Sequence, residues 1–405
     1  MARSRARNLL ALLAGLLLAA GCSSPVAAQN RSAAANATAH VASATPKNAP
    51  IPAAPAPPPP APAPPAPASR LWPTRHLFNA DYVDVRAIAE RFGLKALWLN
   101  NDRVMQLTDS RGRVRLRFEY RARDFLMDGT RVFMGEATVL NQGSLFVSRI
   151  DVIKSIVPLL SPAEYAFRMP PPPQLIVLDA GHGGADPGAR NLALHLEEKN
   201  LTLDVVQRLK KLLEGRGYRV MLTRSDDTKL APVQRTDLEQ RDEVANRAKA
   251  DLFLSVHFNS ALPTVTGTET YVMTPQFEAS SGGGKDAAVD KAYPGNQQDF
   301  ANTLLGFHLH RSLLAALNST DRGFKRGRLM VLCFPECPAA LVEAAYLSNY
   351  SDASRLATPE YRQRIAQALA DGIDDYSAAL AALRPSPPAK VEVRPAAALS
   401  PKPKP

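Results

Sequence analysis

Leu175-Ile-Val-Leu-Asp-Ala180, followed by Gly181-His-Gly-Gly-Ala-Asp-Pro-Gly188, is a short apolar run that ends in a histidine set among glycines. It follows the linker Pro170 to Pro173, and its β-branched residues without polar alternation mark a parallel strand buried on both faces. The glycines permit positive φ and a close approach of backbone to ligand, so His182 stands displayed at the strand's carboxyl end. Open α/β sheets bind their ligands at that edge. Alone, the pattern is better read as a glycine-rich turn with an incidental histidine. Asp251-Leu-Phe-Leu-Ser-Val-His257-Phe-Asn-Ser260 shifts that balance, because a second apolar strand ends in a second histidine.

Working outward, residues 174–383 alternate strand and helix patterns, which predicts an α/β domain with a twisted, mostly parallel sheet flanked by helices. The expected strands are Leu175 to Leu178, Arg219 to Thr223, Leu252 to Val256, Thr268 to Met273, Leu329 to Leu332 and Ala340 to Val342. The expected helices are Lys199 to Arg216, Leu238 to Lys249, Asp299 to Leu317 and Pro359 to Leu383.

Acids join the two histidines. Glu197-Glu198-Lys199 opens a helix, where carboxylates are common for dipole reasons alone. Leu341-Val-Glu343 places an acid directly after an apolar strand, where burial without a partner is costly. Two His and one Glu suit a catalytic zinc with an open water position, and a further Glu suits a general base. His195, His308 and His310 follow no strand, and the last two lie on different faces of one helix.

With these motifs in view, residues 175–376 resemble the zinc-dependent N-acetylmuramoyl-L-alanine amidases of the Amidase_3 family. The matching stretches are Val177 to Gly188, Glu198-Lys199-Asn200, Leu222-Thr-Arg224, Ser255-Val-His-Phe-Asn-Ser260, Asp321-Arg-Gly-Phe-Lys325 and Leu341 to Asn349. The resemblance implies one Zn2+ held by His182, Glu198 and His257, with Glu343 as the catalytic acid/base. Glu198 is preferred to Glu197 because it directly precedes Lys199. It implies peptidoglycan as substrate, cut between N-acetylmuramic acid and L-Ala of the stem peptide, with a role in cell division and a protein activator as a further partner. Asp179 and Asp186 are expected to orient the loop and its histidine, Asn259 to meet substrate, and Arg224 and Arg241 to form structural ion pairs. Two other readings stand beside this one: a zinc peptidase acting within stem peptides, and a catalytically inactive wall-binding or activator protein. The second would be marked by loss of a ligand or of the acid, and all four positions are filled.

The remainder reads as delivery and support. Residues 1–22 carry Arg3, Arg5 and Arg7, an apolar run from Leu9 to Ala20, and Gly21-Cys22, a lipoprotein-type signal that makes Cys22 the lipidated residue. Cleavage after Val26-Ala27-Ala28 is the alternative. Ser23 favours an outer-membrane anchor over a cytoplasmic-membrane one, so the expected location is the periplasm or cell envelope. Residues 23–75 are an Ala/Pro-rich tether. Residues 76–160 form a small α+β domain whose strand-then-helix order at Tyr82 to Gly93 recurs at Leu145 to Ile156, with Asp128-Gly129 as a hairpin signal. That arrangement resembles the N-terminal stalk domain of copper amine oxidases. Gln276 to Gln298 reads as a loop beside the cleft, and 384–405 as a disordered Pro/Lys tail. The net charge of +11 resides in 1–75 (+7) and 384–405 (+4), leaving 76–383 neutral and arguing against a nucleic-acid-binding domain. Cys333 and Cys337 fit either a small disulfide loop or two thiols.

Overall fold

A computed structural model describes residues 72–384 apart from 79, 102 and 282–288. Cys22, the signal, nearly all of the tether and the tail after 384 lie outside the described residues. Among those described, no helix is long and apolar enough to cross a membrane.

The described chain opens with β1 (Thr74–Leu77), β2 (Ala80–Asp84) and α1 (Val85–Arg91), whose N-cap Asp84 accepts from the Arg86 amide. An antiparallel meander follows: β3 (Lys95–Leu99), β4 (Val104–Thr108), β5 (Val114–Glu119), β6 (Asp124–Met127) and β7 (Thr130–Phe133). Asp128 and Gly129 turn the last hairpin with φ of 49° and 85°, the conformation that makes Asp-Gly a hairpin signal. Next, β8 (Val139–Asn141) and β9 (Ser144–Ser148) return to complete a four-stranded sheet in the order β1-β2-β9-β8. Two short helices, α2 (Arg149–Asp151) and α3 (Val157–Leu160), flank a π-helical turn.

The second half supplies β10 (Leu175–Ala180), β11 (Arg190–Asn191), β12 (Leu196–Glu197), α4 (Glu198–Gly215), β13 (Arg219–Leu222), α5 (Gln234–Ala248) and β14 (Leu252–Asn259). It continues with β15 (Thr268–Met273), α6 (Asp299–Leu317), β16 (Asp321–Gly327), α7 (Met330–Cys333), β17 (Ala339–Tyr346), α8 (Tyr350–Leu356) and α9 (Pro359–Ala382). Strands β13-β10-β14-β17 are parallel, and β15 runs antiparallel to β17. All six residues of β10 and all eight of β17 are buried, as expected of strands covered on both faces.

The stretch expected as a strand from Leu329 to Leu332 is instead the start of α7, with Leu329 as its N-cap and a turn closed by the Cys333 amide donating to Leu329 O (3.1 Å). The strand at that point is β16, which carries Phe324 as its single large apolar residue and is defined by its parallel pairing with β15. Phe324 and Val272 face Gly306 of α6, where an added Cβ would lie 2.5 and 2.7 Å from them. Thr270 likewise bonds His310 of α6 at 3.1 Å. Alternation then puts Glu269, Tyr271 and Lys325 on the opposite sheet face.

The meander does not stand apart from this sheet. Val132 of β7 pairs with Phe324 of β16, and the Arg131 amide donates to Asp321 (2.9 Å). An exposed edge is thereby closed, and the main sheet reaches eleven strands. Arg326, 1% exposed, adds donor bonds to Lys154 O (2.9 Å) and Ser155 Oγ (2.6 Å).

The segment after Met273 also departs from expectation. Because β15 is antiparallel to β17, with Tyr271 opposite Leu341, it leaves the sheet at the amino end of β17, away from the histidines. Its described part packs on the meander, where Arg123 donates to Ser280 O and Glu278 lies against Gly135. These described residues are not a wall of the cleft.

Candidate functional site

The loop after β10 is shaped by close approach. A Cβ on Gly181 would sit 2.3 Å from the His257 ring, and one on Gly188 (φ 65°) would sit 2.5 Å from Glu198 Oε2 and 2.6 Å from His182. His182 itself has φ 63°, a left-handed value uncommon for a residue with a side chain. A tight pair of hydrogen bonds between Gly183 and Asp186, each 3.0 Å, closes the turn.

This turn brings His182 to Glu198, the first residue of α4, and to His257 near the end of β14. His182 Nε2 is 3.1 Å from Glu198 Oε2, and His257 Nδ1 is 2.9 Å from Glu198 Oε1. One donor atom from each of the three residues lies within 4.8 Å of the others, and this is the group of its kind among the described residues. Amides of Ala189 (2.8 Å) and Phe258 (3.0 Å) donate to the Glu198 carboxylate and fix its plane. Glu197, by contrast, is half-buried and pairs with Arg190. Asp186 Oδ2 holds His182 Nδ1 at 3.1 Å, turning Nε2 toward the cluster.

Glu343 lies on β17 beside His257 in the parallel register, and opposite Glu269 of β15. It is 5% exposed, and its Oε2 has no hydrogen-bond partner. Burial, with the charges of Glu198 and Glu269 behind it, pushes its carboxyl well above the usual range.

Glu269 is its opposite. Burial alone would raise it, but Lys325, together with bonds from Tyr346 and Tyr271, outweighs burial and holds it ionised. Lys325 Nζ is 2.8 Å away, Arg322 Nε 3.0 Å, Tyr271 Oη 2.7 Å and Asn259 Nδ2 3.3 Å, with Tyr346 Oη also donating. Sequence reasoning assigned none of these residues to the site except Asn259. The signal available was Thr268-Glu-Thr-Tyr271, whose alternation puts Glu269 and Tyr271 on one face.

Beneath the loop, Asp179 is fully buried and accepts from Thr223 Oγ1 and Ser255 Oγ (2.6 Å each) and from Arg241 Nη1 (2.8 Å). Arg241 also pairs with Asp237 and donates to the carbonyl of His182 (2.8 Å). Among the described residues Arg224 forms no ion pair. It donates to the carbonyls of Ala180, Gly181 and Lys199 at 2.8–3.0 Å and so ties the loop to α4. His195 is exposed, His308 is pushed down to about 4 by burial, and His310 bonds Thr270 and Asp321. None of the three joins the cluster. Cys333 and Cys337 are buried thiols rather than a disulfide.

The electrostatics give a pH dependence. Burial opposes a charge on His182, but hydrogen bonds to Asp186 and Glu198 outweigh it and raise the imidazole from 6.5 to about 10. A raised folded-state pKa stabilises below the unfolded value and is lost as pH climbs through the folded one. Metal-free protein is therefore expected to lose about 2–4 kcal/mol between pH 6.5 and 10, and thermal melts of chelated protein check this. Exchanging His182 for Gln should flatten that slope. Asp186, lowered to about 2 chiefly by its bond to His182, acts in the other direction, below its unfolded value of 3.8.

Comparison with known proteins follows the same half of the chain. A family model described as N-acetylmuramoyl-L-alanine amidase, Amidase_3, matches residues 176–375. The chain is 30% identical over 251 residues to N-acetylmuramoyl-L-alanine amidase LytC of Bacillus subtilis, covering 62% of this chain and 45% of that protein. It is 30% identical over 229 residues to N-acetylmuramoyl-L-alanine amidase AmiA of Escherichia coli, covering 50% of this chain and 76% of that protein. Among solved structures it is similar to the catalytic domain of CwlV, an N-acetylmuramoyl-L-alanine amidase from Bacillus (Paenibacillus) polymyxa. That match has 32% identity, a TM-score of 0.41, and covers 50% of this chain and 97% of that one.

Proposed function

The chain belongs to the Amidase_3 family of N-acetylmuramoyl-L-alanine amidases, and we propose that its His182, Glu198 and His257 hold one zinc ion for hydrolysis of the bond between N-acetylmuramic acid and L-Ala in peptidoglycan. The observation that carries this reading is the cluster itself: three donors within 4.8 Å, beside an acid whose Oε2 has no partner. Two imidazole nitrogens and one carboxylate are a donor set that suits catalytic zinc. Glu198 stands within 3.1 Å of both imidazoles, where its carboxylate would neutralise a bound cation's charge.

Zinc bound there would lower the pKa of a water to about 7 and polarise the scissile carbonyl. The remaining work falls to the chain. Asp186 fixes the His182 ring, and the Ala189 and Phe258 amides fix Glu198. Glu343 takes a proton from the attacking water and delivers it to the leaving nitrogen of L-Ala. Its raised pKa suits the second half of that task, since a carboxyl that readily holds a proton is there to give it back.

Delivery to the wall completes the reading. Cys22, with its preceding apolar run, is the proposed lipid anchor, and 23–75 the tether that gives the enzyme reach in the envelope. Residues 76–160 act as a stalk-like support, consistent with β7 completing the edge of the main sheet.

Digestion of purified peptidoglycan by the full chain, with and without chelator, tests the proposal by mass spectrometry. Stem peptides beginning with L-Ala, lost with chelator and restored by Zn2+, are the expected products. Shortened stems with the lactyl amide intact would instead make it a peptidase.

A further inference from the structure

We propose that Arg322 is a specificity-determining residue that binds a free carboxylate on the peptide side of the scissile amide. The inference rests on the amidase reading and names what that site selects. The sheet face that carries His257 and Glu343 continues in register to Glu269 and from there to β16. Two cations from β16 meet Glu269, and they differ in what they have left to offer.

Lys325 is spent. Its side chain is 13% exposed, its ammonium is 2.8 Å from Glu269, and it lies 5.4 Å and 5.6 Å from the ring centroids of Phe133 and Tyr271. Further along the face, Arg131 pairs with Asp124 at 3.2 Å. Arg322 is held by its inner nitrogen alone: Nε donates to Glu269 Oε1 and to Tyr346 Oη, both at 3.0 Å. The guanidinium carbon lies 5.3 Å from the centroid of the Tyr346 ring. The side chain is 35% exposed, and Nη1 and Nη2 make no hydrogen bond to the described residues. Stacking and two bonds have thus fixed the plane of the guanidinium while its terminal fork stays unused. A fork ordered in advance binds a planar anion without a further entropy cost, and its geometry matches a carboxylate.

The proposed substrate offers such a group. In a peptidoglycan stem the residue after L-Ala is D-Glu joined onward through its side-chain carboxyl, which leaves its α-carboxylate free. Some walls carry a carboxamide there instead. That group lies one residue, about 3.8 Å of chain, beyond the alanine, and β17 and β15 are about 4.8 Å apart. A leaving peptide with its nitrogen at Glu343 that runs across β15 would bring this carboxylate to the side of Glu269 on which Arg322 stands.

The test compares L-Ala-γ-D-Glu-L-Lys with its α-carboxamide counterpart, titrated calorimetrically into the zinc-loaded full chain, and both stem types as hydrolysis substrates. Wild type is expected to favour the carboxylate by about 10- to 100-fold in Kd and in KM, the range of a charge-assisted bidentate pair. R322Q should erase that preference, and R322K should keep part of it, since charge remains while the fork is lost. Equal binding by wild type, or a preference that survives R322Q, would overturn the proposal. So would an equal fall in kcat on both substrates with KM unchanged, which is the signature of a purely structural role beneath Glu343. Failure of the amidase reading is separate: no stems would be released, while the titration would still report on Arg322.

Discussion

Exchanging Glu343 for Gln is expected to leave the fold and bound zinc in place while amide hydrolysis falls by about 10²- to 10⁴-fold, the span of a lost general acid/base. The reasons are geometric. Glu343 is fixed by the β17 ladder beside His257, yet it lies outside the three-residue cluster that offers ligand atoms. Glutamine has the same shape and fills the same buried site, so no cavity opens. What it cannot do is accept the proton of an attacking water and return it to nitrogen. Stability should not fall, because the exchange removes a buried carboxyl whose Oε2 is unpartnered and which faces the ionised Glu269. Metal content by mass spectrometry, melting temperature and stem release on one preparation check all three parts. A variant that loses zinc along with activity would make Glu343 a ligand, and one that retains near-wild-type turnover would remove it from the chemistry.

How much of this was legible depends on where each residue's environment comes from. The strands β10 and β14 announce themselves, because burial on both faces leaves an uninterrupted apolar run, and a histidine at the end of each is visible against it. Helices α4, α5, α6 and α9 are long enough for periodicity and caps to place them within a few residues. Glu198 and Glu343 were singled out by the motif set, with burial the physical sign for Glu343. By contrast, β16 reads Asp321-Arg-Gly-Phe-Lys-Arg-Gly327, with one large apolar side chain in seven residues, and nothing local marks it as a strand. It is a strand because β15 and β7 lie on either side of it. Glu269 was equally silent: its donors come from positions 259, 271, 322, 325 and 346, and no window of sequence contains them all. Arg322 and Lys325 were noted as part of a family motif and given no task, since their partner was unknown. The segment after Met273 was misplaced for a related reason. Which edge a loop leaves from depends on strand direction, and the reversal at β15 cannot be read from composition.

The site's foundation carries the other large effect. Replacing Asp179 with Ala is expected to cost about 3–5 kcal/mol, because it strands much of a buried guanidinium. Arg241 is 1% exposed and cannot turn to water, and the hydroxyls of Thr223 and Ser255 lose their acceptor in the same stroke. For a domain of this size that corresponds to a melting temperature lower by roughly 6–20 °C. The double variant D179A/R241M should be less destabilised than the sum of the two single variants, since the charge leaves together with its partner. It should not recover metal affinity. Arg241 Nη2 donates to the His182 carbonyl at 2.8 Å, and His182 is held at a positive φ that unrestrained backbone avoids. Loss of that tether lets the loop relax and is expected to weaken zinc binding about 10- to 100-fold, the usual effect of removing a group that orients a ligand. Denaturant melts and zinc titration of the three variants separate the two roles. A D179A protein within about 1 kcal/mol of wild type would mean that Asp237, 3.0 Å from Arg241 Nε, suffices to neutralise the guanidinium. The Asp179–Arg241 pair would then be a positional device for the loop alone, and the cost of a buried charge would not be what fixes Asp179 in β10.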